Sequence, residues 1–140
     1  MPPQSSARNP LDGLTAGELM TPNPLSVRDD APLAEATHQL TDKGVSGAVV
    51  VNAAGQPVGV LSTSDILIHL REDQDRKKAA VGVTKVHEVM TPVVFSVRSD
   101  DPARKVVEQM MALNVHRLFV QDQTEVIGVI SAVDVLRKMI

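Results

Sequence analysis

Apolar residues along this chain fall into two patterns. Four short runs are nearly continuous: VSGAVVV (residues 45–51), VGVLS (58–62), VHRLFVQ (115–121) and VIGVIS (126–131). Runs of this length with no alternating polar face predict short strands covered on both sides. Between them the spacing changes to that of helices. Residues 32–43 place Leu33, Ala36, Thr37 and Leu40 on one face, with Gly44 as a stop. Residues 102–113 place Val106, Met110 and Leu113 inward, with Asn114 where the first helix has glycine. Pro32 and Pro102 stand where a helix tolerates proline, in its first turn. Each strand pair is followed by a further helical segment, TSDILIHLRE and AVDVLRKMI, and preceded by an extended one, PLSV and VFSV.

The same order thus occurs twice, and so does much of the wording. LMTPNPLSVRDDAP begins at Leu19 and VMTPVVFSVRSDDP at Val89. Met90 stands 70 positions after Met20, and Val115 70 after Val45, but Gly128 stands 69 after Gly59. The lost residue falls in a turn, where NAAGQP (52–57) faces DQTEV (122–126) as two hairpin connections. Two β-α-β-β-α repeats predict an α/β (α+β) fold. Neither half is large enough to bury a comfortable core, whereas two copies about a pseudo-twofold axis are. The boundaries are a flexible arm (1–13), a first repeat (14–71), a charged linker (72–85) containing much of REDQDRKK, and a second repeat (86–140).

Composition removes several function classes. Of the 43% apolar residues two are aromatic, Phe95 and Phe119, so platforms for stacking single-stranded nucleic acid are scarce. A net charge of −3 offers no excess for a phosphate backbone. Cysteine is absent, which excludes disulfides, thiolate metal sites and thiol nucleophiles. Nothing approaches the roughly 18–20 apolar residues of a membrane span, and MPPQSSARNP has no apolar signal core. The expectation is a cytoplasmic protein off the membrane. His38, His69, His87 and His116 lie too far apart for a ligand cluster, so no metal site is expected. Phosphate-binding glycine loops are missing, and no nucleophile stands beside a base; the chain is read as neither an enzyme nor in need of a cofactor.

The ordered motifs M-T-P, S-V-R, D-x-P, V-H-R-L-F-V and V-I-G-V-I-S-x-x-D resemble the cystathionine β-synthase (CBS) domain. The two repeats, about residues 14–140, resemble a stand-alone CBS pair, or Bateman module. That resemblance implies homodimerisation, an adenosine-nucleotide ligand, and a regulated partner protein encoded elsewhere.

Ser62-x-x-Asp65 and Ser131-x-x-Asp134 stand where a strand meets a helix. Two readings apply to them. A serine with an acidic residue three positions on is a capping box, which stabilises a helix start with no ligand. The carboxylate can equally accept both hydroxyls of a ribose while the serine hydroxyl and helix N–H groups meet a phosphate. The resemblance favours the second reading and implies crosswise clefts. One cleft would gather Ser62, Ser64 and Asp65 with Thr91, Val94, Phe95, Val115, His116 and Arg117. The other would gather Ser131, Val133 and Asp134 with Thr21, Leu25, Val45, Ser46 and Gly47. Since Val45-Ser46-Gly47 lacks the His and Arg of Val115-His116-Arg117, the clefts are expected to be unequal. The Asp65 cleft would take the more phosphorylated ligand, and the Asp134 cleft an uncharged adenosyl group or none. Met20 and Met90 are expected in the core, with the wall of an adenine site as the other role.

The leading reading is a regulatory module that senses AMP, ADP, ATP or another adenosyl ligand by changing conformation. The alternative is a ligand-free homodimeric interaction scaffold in which the Ser-x-x-Asp elements are caps alone.

Overall fold

The computed structural model describes residues 9–72 and 83–140. Along the chain run α1 (Ala16–Leu19), β1 (Thr21–Pro22), β2 (Ser26–Arg28), α2 (Leu33–Lys43), β3 (Gly47–Val51), β4 (Pro57–Ser62) and α3 (Thr63–Glu72). A single 3₁₀ turn at Val86–Glu88 follows, then β5 (Ser96–Val97), α4 (Ala103–Leu113), β6 (Arg117–Asp122), β7 (Glu125–Ser131) and α5 (Ala132–Arg137). The repeated α/β order is therefore present. Most of the expected linker, and the first eight residues of the expected arm, lie outside the described residues. No described helix is long and apolar enough to cross a membrane.

Two compact units form, and they cut the chain differently from the sequence period. One is Pro24–Val94; the other combines residues up to Asn23 with Phe95–Ile140. We call them the central and the composite unit. Backbone pairing explains the exchange of short segments. Thr21 and Pro22 of the first Met-Thr-Pro add an antiparallel strand to β7, opposite Val129 and Gly128. Thr91 of the second Met-Thr-Pro makes the matching bridge to Val60 on β4, with N–H to carbonyl bonds of 2.9 Å in both directions.

In the central unit β2 runs parallel to β3, which is antiparallel to β4. Its core is built of Val27, Leu33, Ala36, Leu40, Ala48, Val50, Leu61, Ile66 and Val86. The composite unit has the order β1-β7-β6-β5 around Ala16, Leu19, Val97, Ala103, Val106, Met110, Leu118, Val120, Ile130 and Val135. In both, the middle strand is buried on both faces, through Ala48, Val49 and Val50 in β3 and Leu118, Phe119 and Val120 in β6. This accounts for the lack of alternation in those runs. Met20 and Met90 pack against the two cores, as expected.

Three local readings need adjustment. Pro32 and Pro102 are the residues before α2 and α4, in extended conformation, and not members of the first turn. Leu113 closes α4 at 37% exposure; the buried positions of that helix are Ala103, Val106 and Met110. Val45-Ser46 and Val115-His116 precede the strands they were assigned to. Gly44 and Asn114 are left-handed (φ 67° and 55°), and the next amide bonds back to Leu40 (3.1 Å) or Met110 (3.0 Å). That closing turn holds two residues out of the ladder.

Asp122, at the end of β6, ties the composite sheet to the turn before α4. Its carboxylate accepts the Ser99 hydroxyl at 2.6 Å and the Ser99 N–H at 3.0 Å. The hydroxyl first, then the amide, with Arg98 adding favourable charge, hold its pKa below the ordinary aspartate value.

Candidate functional site

Each unit presents one Ser-x-x-Asp element where its last strand passes into its last helix. In the central unit the Ser62 N–H donates to Asp65 Oδ2 at 3.0 Å, and the Asp65 N–H donates to Ser62 Oγ at 3.0 Å. In the composite unit the Ser131 N–H donates to Asp134 Oδ2 at 2.8 Å, and the Asp134 N–H to Ser131 Oγ at 3.1 Å. Both are complete reciprocal caps. Capping thus accounts for the serine and for one oxygen of each carboxylate.

The remaining oxygens differ. Asp65 Oδ1 accepts from the Thr91 hydroxyl at 3.3 Å, across 26 residues of sequence but within one unit. Thr91 is delivered there by its bridge to Val60, which requires the flat backbone of Gly59: a Cβ on Gly59 would lie 2.6 Å from the Thr91 carbonyl oxygen. Asp134 Oδ1 instead faces the Arg137 guanidinium at 3.3 Å, one helical turn on. Asp134 is 14% exposed and Arg137 70%. The residue matching Arg137 in the central unit is Ile68. Gly128 seats Met20 as Gly59 seats Met90, with the Met20 side chain packed directly where a Cβ would stand.

The residues before β3 and β6 join their own unit's element. The Ser46 carbonyl accepts the Thr63 N–H at 2.9 Å, and Gly47 lies opposite Ser62 in the ladder. Likewise the His116 carbonyl accepts the Ala132 N–H at 2.9 Å, and Arg117 lies opposite Ser131. Thus the central unit brings Ser62, Asp65 and Thr91 together with Ser46 and Gly47 beside them; it also contains Leu25, Val45, Ser64 and Val94. The composite unit holds Ser131, Asp134, His116 and Arg117 near one another, and contains Thr21, Phe95, Val115 and Val133. Ser46, Ser64, Thr21, Thr91 and His116 are exposed; Phe95 and Val133 are partly or well exposed at 38% and 53%.

Two features escaped the sequence reading. Arg137 lies in AVDVLRKMI, which reads as a helical segment without a role for its arginine, although a spacing of three from Asp134 is a usual one for a helical ion pair. Gly59 and Gly128 marked the repeat period, but their role as seats needs the partner segment in place.

The profile of the CBS domain matches residues 16–72 and 86–140. An uncharacterised protein of Methanocaldococcus jannaschii is 30% identical over 114 residues, 81% of this chain and 26% of that protein. The gamma-3 subunit of the 5′-AMP-activated protein kinase of Bos taurus is 31% identical over 118 residues, 81% of this chain and 24% of the subunit. The chain therefore spans about a quarter of the length of these relatives. Among solved structures, that of CBSX2 in complex with AMP superposes with a TM-score of 0.76 at 26% identity, covering 91% of this chain and 96% of CBSX2.

Proposed function

This chain belongs to the CBS domain family, with two copies of the domain in tandem, and from that premise we propose that it is a regulatory module binding an adenosine-containing ligand. Asp65 and Asp134 each accept ribose hydroxyls, flanked by Ser62, Ser64 and Thr91 in the central unit and by Ser131, Val133 and Thr21 in the composite unit. His116 and Arg117 serve the phosphate. Leu25, Val45, Val94, Phe95 and Val115 supply apolar contacts to the base, and Ser46 and Gly47 supply polar atoms or a close backbone approach. The observation that carries this reading is the spare carboxylate oxygen. A cap needs one oxygen, yet both elements use aspartate and leave Oδ1 on a polar side chain that a sugar hydroxyl can join or displace. The AMP complex of CBSX2 and the match to a subunit of an AMP-activated kinase support adenosine as the nucleoside. A ligand binding one arrangement of the protein more tightly shifts its population toward that arrangement, which the homodimer or a regulated partner reads.

The scaffold reading has its own observation. Leu67 and Leu70 on α3, and Leu136 and Met139 in and after α5, are between 44% and 65% exposed. Repeated apolar faces of this kind suit a protein contact. A thermal-shift screen with AMP, ADP, ATP, S-adenosylmethionine, NAD and GTP separates the two. A ligand at a hundred times its Kd raises the melting temperature by roughly 10 °C in a chain of this size. The rise is expected with an adenosyl ligand and is expected to diminish in Asp65→Asn or Asp134→Asn, which keep a capping oxygen. No rise with any compound would leave the scaffold.

A further inference from the structure

The two Ser-x-x-Asp elements are alike in their caps and unlike in what neutralises the spare oxygen. In the central unit that partner is a hydroxyl, from Thr91 at 3.3 Å. In the composite unit it is a cation, from Arg137 at 3.3 Å, on a side chain 70% exposed and hence able to swing away. From this difference we infer that Arg137 is a specificity-determining residue of the Asp134 site, selecting adenosine ligands that carry a 5′-phosphate over those that do not. The inference rests on the adenosyl-binding reading above.

Asp134 Oδ2 is held by the Ser131 amide, so a ribose diol must engage Oδ1, where the guanidinium now lies. A neutral nucleoside takes that oxygen and gives the displaced arginine nothing in return. A nucleotide brings its own anion within the reach of the same side chain, so the arginine exchanges a carboxylate for a phosphate and keeps a charge-assisted, two-pronged bond. In the central unit Ile68 occupies the matching position, on the same turn relative to Asp65, and brings no such charge. Arg137 thus reverses the expectation, drawn from Val45-Ser46-Gly47, that the Asp134 site prefers an uncharged adenosyl group.

The test compares AMP with adenosine by calorimetry, using the full chain carrying Asp65→Asn so that the Asp134 site is read alone. Arg137→Ile, which installs the residue of the other repeat, is expected to weaken AMP roughly ten- to a hundredfold. The same variant should leave adenosine unchanged or bind it about two- to fivefold more tightly, since the ion pair no longer competes. Arg137→Lys, which keeps the charge without the fork, should retain part of the preference for AMP. Equal changes for the two ligands, or an unchanged AMP affinity, would overturn the inference and leave the adenosyl reading standing. So would wild-type protein that binds AMP but loses all binding in Asp65→Asn. If neither compound binds the wild-type chain, and the nucleotide screen is also blank, both readings fall.

Discussion

Alanine at Gly59 is expected to damage the fold more than alanine at Gly128, although the two glycines hold the same place in the repeat. The added methyl of Gly59→Ala would stand 2.6 Å from the Thr91 carbonyl oxygen and 2.8 Å from Met90 Sδ. A carbon–oxygen contact settles near 3.3 Å or more, so the Thr91 backbone must retreat by about 0.7 Å. Thr91 and Val60 exchange two backbone hydrogen bonds of 2.9 Å, and such a retreat strains both. Overpacking costs about 1–3 kcal/mol, and each bond lost about 1 kcal/mol. Relief of glycine's excess freedom in the unfolded chain returns about 0.5–1 kcal/mol. The net loss is about 2–3 kcal/mol. At Gly128 the three atoms nearest the added methyl all belong to the Met20 side chain, including Cγ at 2.8 Å and Cβ at 3.0 Å. Methionine has three rotatable bonds and can vacate most of that space, which holds the loss to about 1 kcal/mol. Urea unfolding of both variants, with the slopes compared to check that the transition is unchanged, measures the difference. A Gly128→Ala chain as unstable as Gly59→Ala, or a neutral Gly59→Ala, would refute the argument that a backbone contact fixes the Thr91 segment.

Two further outcomes follow from the hydrogen bonds. Without ligand, Asp65→Ala and Asp134→Ala should each cost about 1 kcal/mol through the lost cap, while the Asn variants keep most of it; chemical denaturation of the four chains checks this. Asp122 titrates below its ordinary 3.8 because Ser99 holds the charged form. A lowered folded pKa contributes stability that is fully present above the unfolded value and is lost as pH falls through the folded one. The stability gap between wild type and Asp122→Ala should therefore be constant near neutrality and shrink only below about pH 4 in acid-unfolding curves; a gap that is unchanged at the acid end would count against it.

Much of the fold was legible because period and burial coincide. The runs around Ala48–Val50 and Leu118–Val120 read as strands covered on both faces, and they are the buried middle strands of their sheets. Helix faces set by Leu33, Ala36 and Leu40 were visible for the same reason. What could not be read was non-local. No propensity says that Thr21 pairs with Val129, or Thr91 with Val60, so the exchange of short segments between the sequence repeats was hidden. The strand starts were misplaced by two residues because a left-handed closing turn leaves apolar Val45 and Val115 outside the ladder. At the candidate site, sequence supplied the Ser-x-x-Asp pairs but not what each spare oxygen touches. Thr91 arrives from 26 residues away, and Arg137 stands in a segment whose pattern reads only as a helix.

Duplication separates what the repeat needs in order to fold from what one copy alone carries. Ser-x-x-Asp occurs twice, but both copies complete a cap, and a cap would survive duplication whether or not anything binds. Repetition of the motif is therefore consistent with both readings of it. Divergence is more discriminating, because the scaffold tolerates either residue at a position where the copies differ. Val45-Ser46-Gly47 and Val115-His116-Arg117 lead into corresponding strands, and Ile68 and Arg137 occupy the same turn of corresponding helices. The first repeat forms the same elements with Ser46, Gly47 and Ile68 at the positions of His116, Arg117 and Arg137, so the repeat as such does not demand charge there. All three fall in the composite unit, whose Asp134 is the carboxylate already paired with a cation. If the charge of the 70% exposed Arg137 serves a phosphate, removing it must alter the ranking of nucleotide against nucleoside while leaving the unliganded melting temperature nearly unmoved, a separation that neither capping nor core packing can produce.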